Sequence, residues 1–149
     1  MRYTLISLLF IPYLWFSNPG ESTAELTCKS ASGRTTFKAV MPSISYLESA
    51  EFSVDGTKLN FTFGDKSCII ADLDKNVLTI YLEDKEQKKF LKFWAIPSSF
   101  KKTLDQKGPG SQFHKIYTFK AKAYATEPRK GKELVTPQTD FDCTLDFQL

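Results

Sequence analysis

Asp140-Phe141-Asp142-Cys143-Thr144-Leu145-Asp146-Phe147-Gln148-Leu149 alternates without a miss. Phe141, Cys143, Leu145, Phe147 and Leu149 share one parity, and Asp140, Asp142, Thr144, Asp146 and Gln148 the other. Successive side chains of an extended chain point to opposite sides, so this pattern is a strand with one face buried and one wet. Cys143 then aims its sulfur into a core, and the rest of the chain is read as the sheet that this strand completes.

Working outward, the same period recurs. Glu25 to Lys29 reads as a strand with Leu26 and Cys28 inward, and Arg34 to Met41 as a second with Phe37, Ala39 and Met41 inward, stopped by Pro42. Asp55-Gly56 is a hairpin signal between Glu51–Val54 and Lys58–Phe63. Strands are expected over Ser67–Asp72 and Val77–Glu83, the latter with Leu78, Ile80 and Leu82 inward. Phe90 to Ile96 is apolar on both faces, so both sides are covered or one is a contact surface. Pro97-Ser98-Ser99 opens a short helix through Leu104 with a serine cap, and Gly108-Pro109-Gly110 breaks the chain. Phe113 to Thr126 is the longest strand, with Tyr117, Phe119, Ala121, Ala123 and Ala125 on one face; Glu127 to Thr139 reads as a long exposed loop. The expectation is an all-β, single-domain antiparallel barrel or sandwich of about eight or nine strands.

The first 24 residues stand apart. Arg2 precedes the apolar run Leu5–Phe16, and Ser22-Thr23-Ala24 supplies small residues for cleavage, the features of a removable signal peptide. The run is shorter than the roughly 20 residues of a membrane span and holds Pro12, so no transmembrane segment is expected after cleavage. The mature chain would start near Glu21 or Glu25 and be exported, periplasmic or secreted. Residues 25–149 then make one domain, small enough for a covalent staple to matter. In an oxidising compartment Cys28 and Cys143, both inward on terminal strands, favour a disulfide among the three pairings that three cysteines allow. Cys68 is read as a spare, buried, inert thiol.

Charge is uneven. Residues 85–132 carry 13 Lys/Arg against three acids, while the whole chain is only +3. Lys88, Lys89, Lys92, Lys120, Lys122, Arg129 and Lys130 form a candidate basic surface for an anionic envelope component or an exported protein. Catalysis has no anchor in the sequence: His114 is the only histidine, and no nucleophile elbow accompanies it. Asp72-Leu73-Asp74-Lys75-Asn76 begins like a calcium loop but lacks the later glycine and glutamate, and no zinc spacing, phosphate loop or dinucleotide motif is present. No cofactor or metal is expected. Nucleic acid is not expected either, because the interleaved aromatics are needed for the core. Asn60-Phe61-Thr62 is a glycosylation sequon, read as silent.

Cysteines on the first and last strands of a small exported β-domain, with Cys143-Thr144-Leu145 near the end, resemble the periplasmic inhibitors of C-type lysozyme. In that family a Ser-Gly-containing loop enters the lysozyme cleft, so the resemblance implies an inhibitor-like role. This chain's Ser30-Ala31-Ser32-Gly33-Arg34 follows the first cysteine, whereas the family's loop lies in the middle of the domain. The function expected is an exported, non-catalytic binding or interaction domain. The alternative is a small barrel that carries an apolar ligand in a cavity lined by Phe37, Phe61, Tyr117 and Phe119.

Overall fold

The structure is a computed structural model and describes residues 22–62, 66–129 and 132–149. Most of the expected signal peptide lies outside them. Most of the described chain is strand: β1 (Thr23–Ser30), β2 (Thr35–Met41), β3 (Ser49–Val54), β4 (Thr57–Thr62), β5 (Lys66–Asp72), β6 (Val77–Asp84), β7 (Lys89–Ala95), β8 (Lys101–Lys107), β9 (Phe113–Arg129), β10 (Lys132–Val135) and β11 (Thr139–Gln148). Nine of them form one antiparallel sheet in the order β4-β3-β2-β1-β11-β9-β7-β6-β5, and β8 and β10 pair with β9 beside that path.

The 17 residues of β9 are the spine. Along one edge, β7 pairs with Leu91↔Ala125 to Ala95↔Ala121, and β8 takes over from Lys101↔Thr118 to Lys107↔Phe113. Along the other edge, β11 covers His114 to Ala123 and β10 covers Thr126 to Arg129. Each flank is thus a broken strand whose break is mended by a hydroxyl. Ser99 bonds Ile96 O at 2.6 Å and accepts from Lys120 N at 2.8 Å; Thr136 Oγ1 accepts from Ala125 N at 3.0 Å.

Two expectations change here. The helix expected from Pro97 to Leu104 is a single 3-10 turn, Pro97–Ser99, followed by β8. Ser99 spends its hydroxyl on β9 as well as on its own turn, and the backbone beyond it pairs with β9. The loop expected over Glu127–Thr139 is largely a hairpin: β9 runs on through Pro128, opposite Glu133 of β10. Proline reads as a breaker, yet an edge position whose N–H is not needed tolerates it.

Chain connectivity forces the sheet to curl. Nine flat strands would span about 38 Å at the usual spacing of about 4.8 Å. Yet β4 and β5, at opposite ends, are consecutive, and Thr62 and Lys66 are separated by at most about 15 Å of extended chain. The result is a half-barrel with its core on the concave side. Phe37 of β2 touches Phe93 of β7 across the interior, ring centroids 5.1 Å apart. One inward row runs Leu59, Phe52, Phe37, Cys28, Cys143, Phe119 through adjacent strands, and Phe100 stacks on Phe119 at 4.4 Å. Alanines 121, 123 and 125 of β9 supply the room that these rings fill. Phe37, Phe61, Tyr117 and Phe119, expected around a ligand, are buried members of this packed core.

Cys28 and Cys143 face each other across β1 and β11, Cα atoms 4.1 Å apart, and are disulfide-bonded. The bond joins residues 115 apart in sequence and so restricts the unfolded chain strongly, contributing about 4 kcal/mol in the loop-entropy picture. Reductant is expected to lower the melting temperature of the native chain and to leave a Cys28→Ser/Cys143→Ser variant unmoved. Equal sensitivity of the two in a thermal melt would mean that the bond does not staple the fold.

Candidate functional site

The outer face of the half-barrel gathers the polar and partly exposed aromatic residues, and register decides which ones meet. On β9 and β11, Lys120 lies opposite Asp142 and Lys122 opposite Asp140, with ion pairs of 3.7 and 3.3 Å. Lys29 of β1 flanks Asp142 from the other side. The basic middle of the sequence is therefore laid against the acidic face of the last strand. Two shallow furrows, about 480 and 300 Å³, run over this zone and share Lys120 and Asp142; Ser99, Lys101, Thr118 and Thr144 line the first, and Ala31, Ile96, Lys122 and Asp140 the second.

Beside the furrows lies an aromatic face. Alternation in β7 sends Leu91, Phe93 and Ala95 inward, which leaves Phe90, Lys92 and Trp94 outside. Tyr124 of β9 stands edge-on to both rings, 5.8 Å from Phe90 and 5.9 Å from Trp94. Lys92 sits between them with Nζ 5.6 Å from the Trp94 ring, a cation–π distance. Register continues this face outward: Tyr124, Lys92, Tyr81 and Cys68 form one row across β9, β7, β6 and β5; Lys122, Trp94, Thr79 and Ile70 form the next. Tyr81 is 40% and Ile70 58% exposed. The periodicity of Phe90–Ile96 showed that one face needed an explanation, but not which one.

The expected basic surface is only partly assembled. Lys88, Lys92 and Lys120 are exposed, and Lys122 is half-buried beside Asp140. The side chain of Arg129 and all of Lys130 lie outside the described residues. Lys89 is not on this surface. It sits on the inward parity of β7, 9% exposed, with its ammonium bonded to the Asn60 carbonyl of β4, 3.5 Å from Asp84 and 5.0 Å from the centre of the Phe61 ring. It ties the two sides of the curl together. Cys68 is also corrected: it is exposed on the outward parity of β5, whose inward positions Ile69 and Ala71 pack on the core.

Elsewhere the candidate groups are engaged structurally. His114 Nε2 lies 3.0 Å from Asp146, which also accepts from Gln148 at 2.9 Å. Asp72 caps the 3-10 turn Leu73–Lys75, accepting from Lys75 N at 3.2 Å and Lys75 Nζ at 2.7 Å. Among the described residues no three His, Cys, Asp or Glu side chains gather as a metal site. The turn from Ser30 to Arg34 is tied down: Gly33 N donates to Ser30 O at 2.8 Å, and Arg34 Nε donates to Asp55 at 2.6 Å. No family model, curated protein or solved structure matches the chain.

Asp84 shows what holds the Lys89 corner. The Gln87 N–H donating to its carboxylate at 2.9 Å, with the Lys89 charge adding, keeps Asp84 below the ordinary carboxylate range against the upward push of burial. A carboxylate lowered on folding stabilises above its unfolded pKa and loses that contribution as pH falls through the folded value. Asp84→Asn should therefore destabilise at neutral pH and flatten the acid limb of the stability–pH curve. An acid limb of wild-type steepness in melts between neutral pH and about pH 3 would remove Asp84 from that role.

Proposed function

We propose that the chain is an exported, non-catalytic binding domain that meets an envelope component or exported protein through the outer face of β6, β7 and β9. The observation that carries this reading is the cluster Phe90, Trp94 and Tyr124 around Lys92, outside a core already filled from the other face. Aromatic side chains with a polar handle are the usual anchors of interaction surfaces, because they bury large area at little conformational cost. Lys120 and Lys122 each lie beside a carboxylate, so Lys92, at cation–π distance from Trp94, and the exposed turn lysine Lys85 are the charges we assign to an anionic partner. Inhibition of an exported enzyme is one form that such binding takes.

Trp94→Ser with Lys92→Glu should lower retention on the producing cell's envelope fraction about fivefold relative to Lys38→Glu, which carries the same charge change on β2, three strands from β9. Equal retention of the two variants, both folded, would discard this face as the binding site.

Export is supported by the disulfide, which persists in oxidising compartments. We place signal cleavage before Glu21. Ala24 is fully buried opposite Met41 and Phe147, and the Ser22 hydroxyl donates to Pro42 O, so a cut after Ala24 would strip the start of β1. The mass of the protein from the exported fraction should match an N-terminus at Glu21. A mass starting at Glu25 would overturn this placement.

A further inference from the structure

β5 ends the sheet on one side, hydrogen-bonded to β6 and to no other strand among the described residues. An open strand edge is a row of unpaired N–H and C=O groups that templates further pairing, and proteins blunt such edges with lysines, prolines, bulges or brevity. The other edges here carry these devices. β8 presents Lys101, Lys102 and Lys107 and shifts register between Lys102 and Leu104. β10 has four residues, and the edge of β4 gives the Asn60 carbonyl to Lys89. Between its end residues Lys66 and Asp72, β5 has none of them. Ser67-Cys68-Ile69-Ile70-Ala71 holds no charge and no proline, keeps unbroken register with β6, and turns Cys68 and the 58% exposed Ile70 to solvent.

We propose that β5 is the seam of a two-fold dimer, in which a second copy of this chain adds its own β5 antiparallel to the first. The strand is self-complementary in one register. Centred on Ile69, the pairing sets Cys68 opposite Ile70 of the second copy, Ser67 opposite Ala71, and Lys66 opposite Asp72, so uncharged positions meet uncharged ones and the charged ends are unlike. A centre on Cys68 sets Lys66 opposite Ile70, and one on Ile70 sets Cys68 opposite Asp72. A one-residue slip pairs inward Ile69 with outward Ile70, which the pleat forbids. Two-fold pairing also consumes both open edges, so assembly stops at two. The rows that start at Cys68 and Ile70 then continue across the seam, which brings the aromatic faces of both copies onto one surface.

The test is sedimentation equilibrium of the mature protein over a concentration series reaching high micromolar, since one strand pair buries less than a standard interface. The expected result is a monomer–dimer equilibrium that Ile70→Lys weakens by about tenfold or more, with an unchanged melting temperature at dilutions where both chains are monomeric, because Ile70 is exposed there. In this register the Cys68 Cα atoms lie about 7–8 Å apart, at the limit for a direct disulfide, so a short bismaleimide should trap the wild-type dimer and not the Ile70→Lys chain. A monomer at every concentration overturns the proposal, as does a dimer that Ile70→Lys leaves intact. A monomer that instead binds an extended peptide along β5 also overturns it and assigns the edge to a different chain.

Discussion

The pairing of β1 with β11 governs the architecture. It brings the two ends of the described chain side by side in the middle of the sheet, Thr23 opposite Gln148 and Cys28 opposite Cys143. From that seam the chain builds outward in both directions, β2 to β4 on one side and β9, β7, β6 and β5 on the other. The outermost strands are consecutive in sequence, so the sheet cannot lie flat. The curl, the concave core and the sorting of residues into inner and outer faces all follow. The disulfide locks the contact with the longest sequence separation and hence the greatest ordering cost, which is where a covalent bond restricts the unfolded chain most.

Charge follows the same geometry. Along the sequence, lysines crowd the middle and aspartates the end, an imbalance that suggests a basic surface. Antiparallel register then sets Lys120 against Asp142 and Lys122 against Asp140, and the imbalance becomes a ladder of exposed pairs. Each pair contributes little to stability on its own, because exposed ion pairs are screened and hold flexible side chains. Their effect is on the face they leave behind, where Lys92 among Phe90, Trp94 and Tyr124 stands out against a largely balanced neighbourhood.

Much of this was legible where one physical signal acted alone. Alternation located β11, β9 and β6 and assigned their inward residues as far as Phe147, whereas Leu149, expected inward, is exposed beyond the end of β11; Asp55-Gly56 marked the β3–β4 hairpin, where both residues have positive φ. The staple followed from two cysteines sharing the inward parity of terminal strands. Reading failed where a distant partner decided the outcome. Pro97-Ser98-Ser99 is a sound helix start locally, but β9 offered a free edge and Ser99 spent its hydroxyl there. Lys89 looked like one of three neighbouring surface lysines until parity turned it toward Asp84 and Asn60. Cys68 looked buried because free cysteines commonly are, yet its exposure depends on which face of β5 meets the core.

The central place of β11 bears on how the chain can come into being. Ribosomes deliver residues in order, and domains generally fold as their segments emerge. Here the final ten-residue strand is the piece that lies between β1 and β9. A nascent chain that lacks it has a hairpin stack on either side and a vacancy where the middle of the sheet belongs. The half-barrel therefore closes only once β11 has been made, after the ten described strands that precede it. β1 waits for a partner whose cysteine lies 115 residues further along the chain, and the middle of the sheet stays open until it arrives.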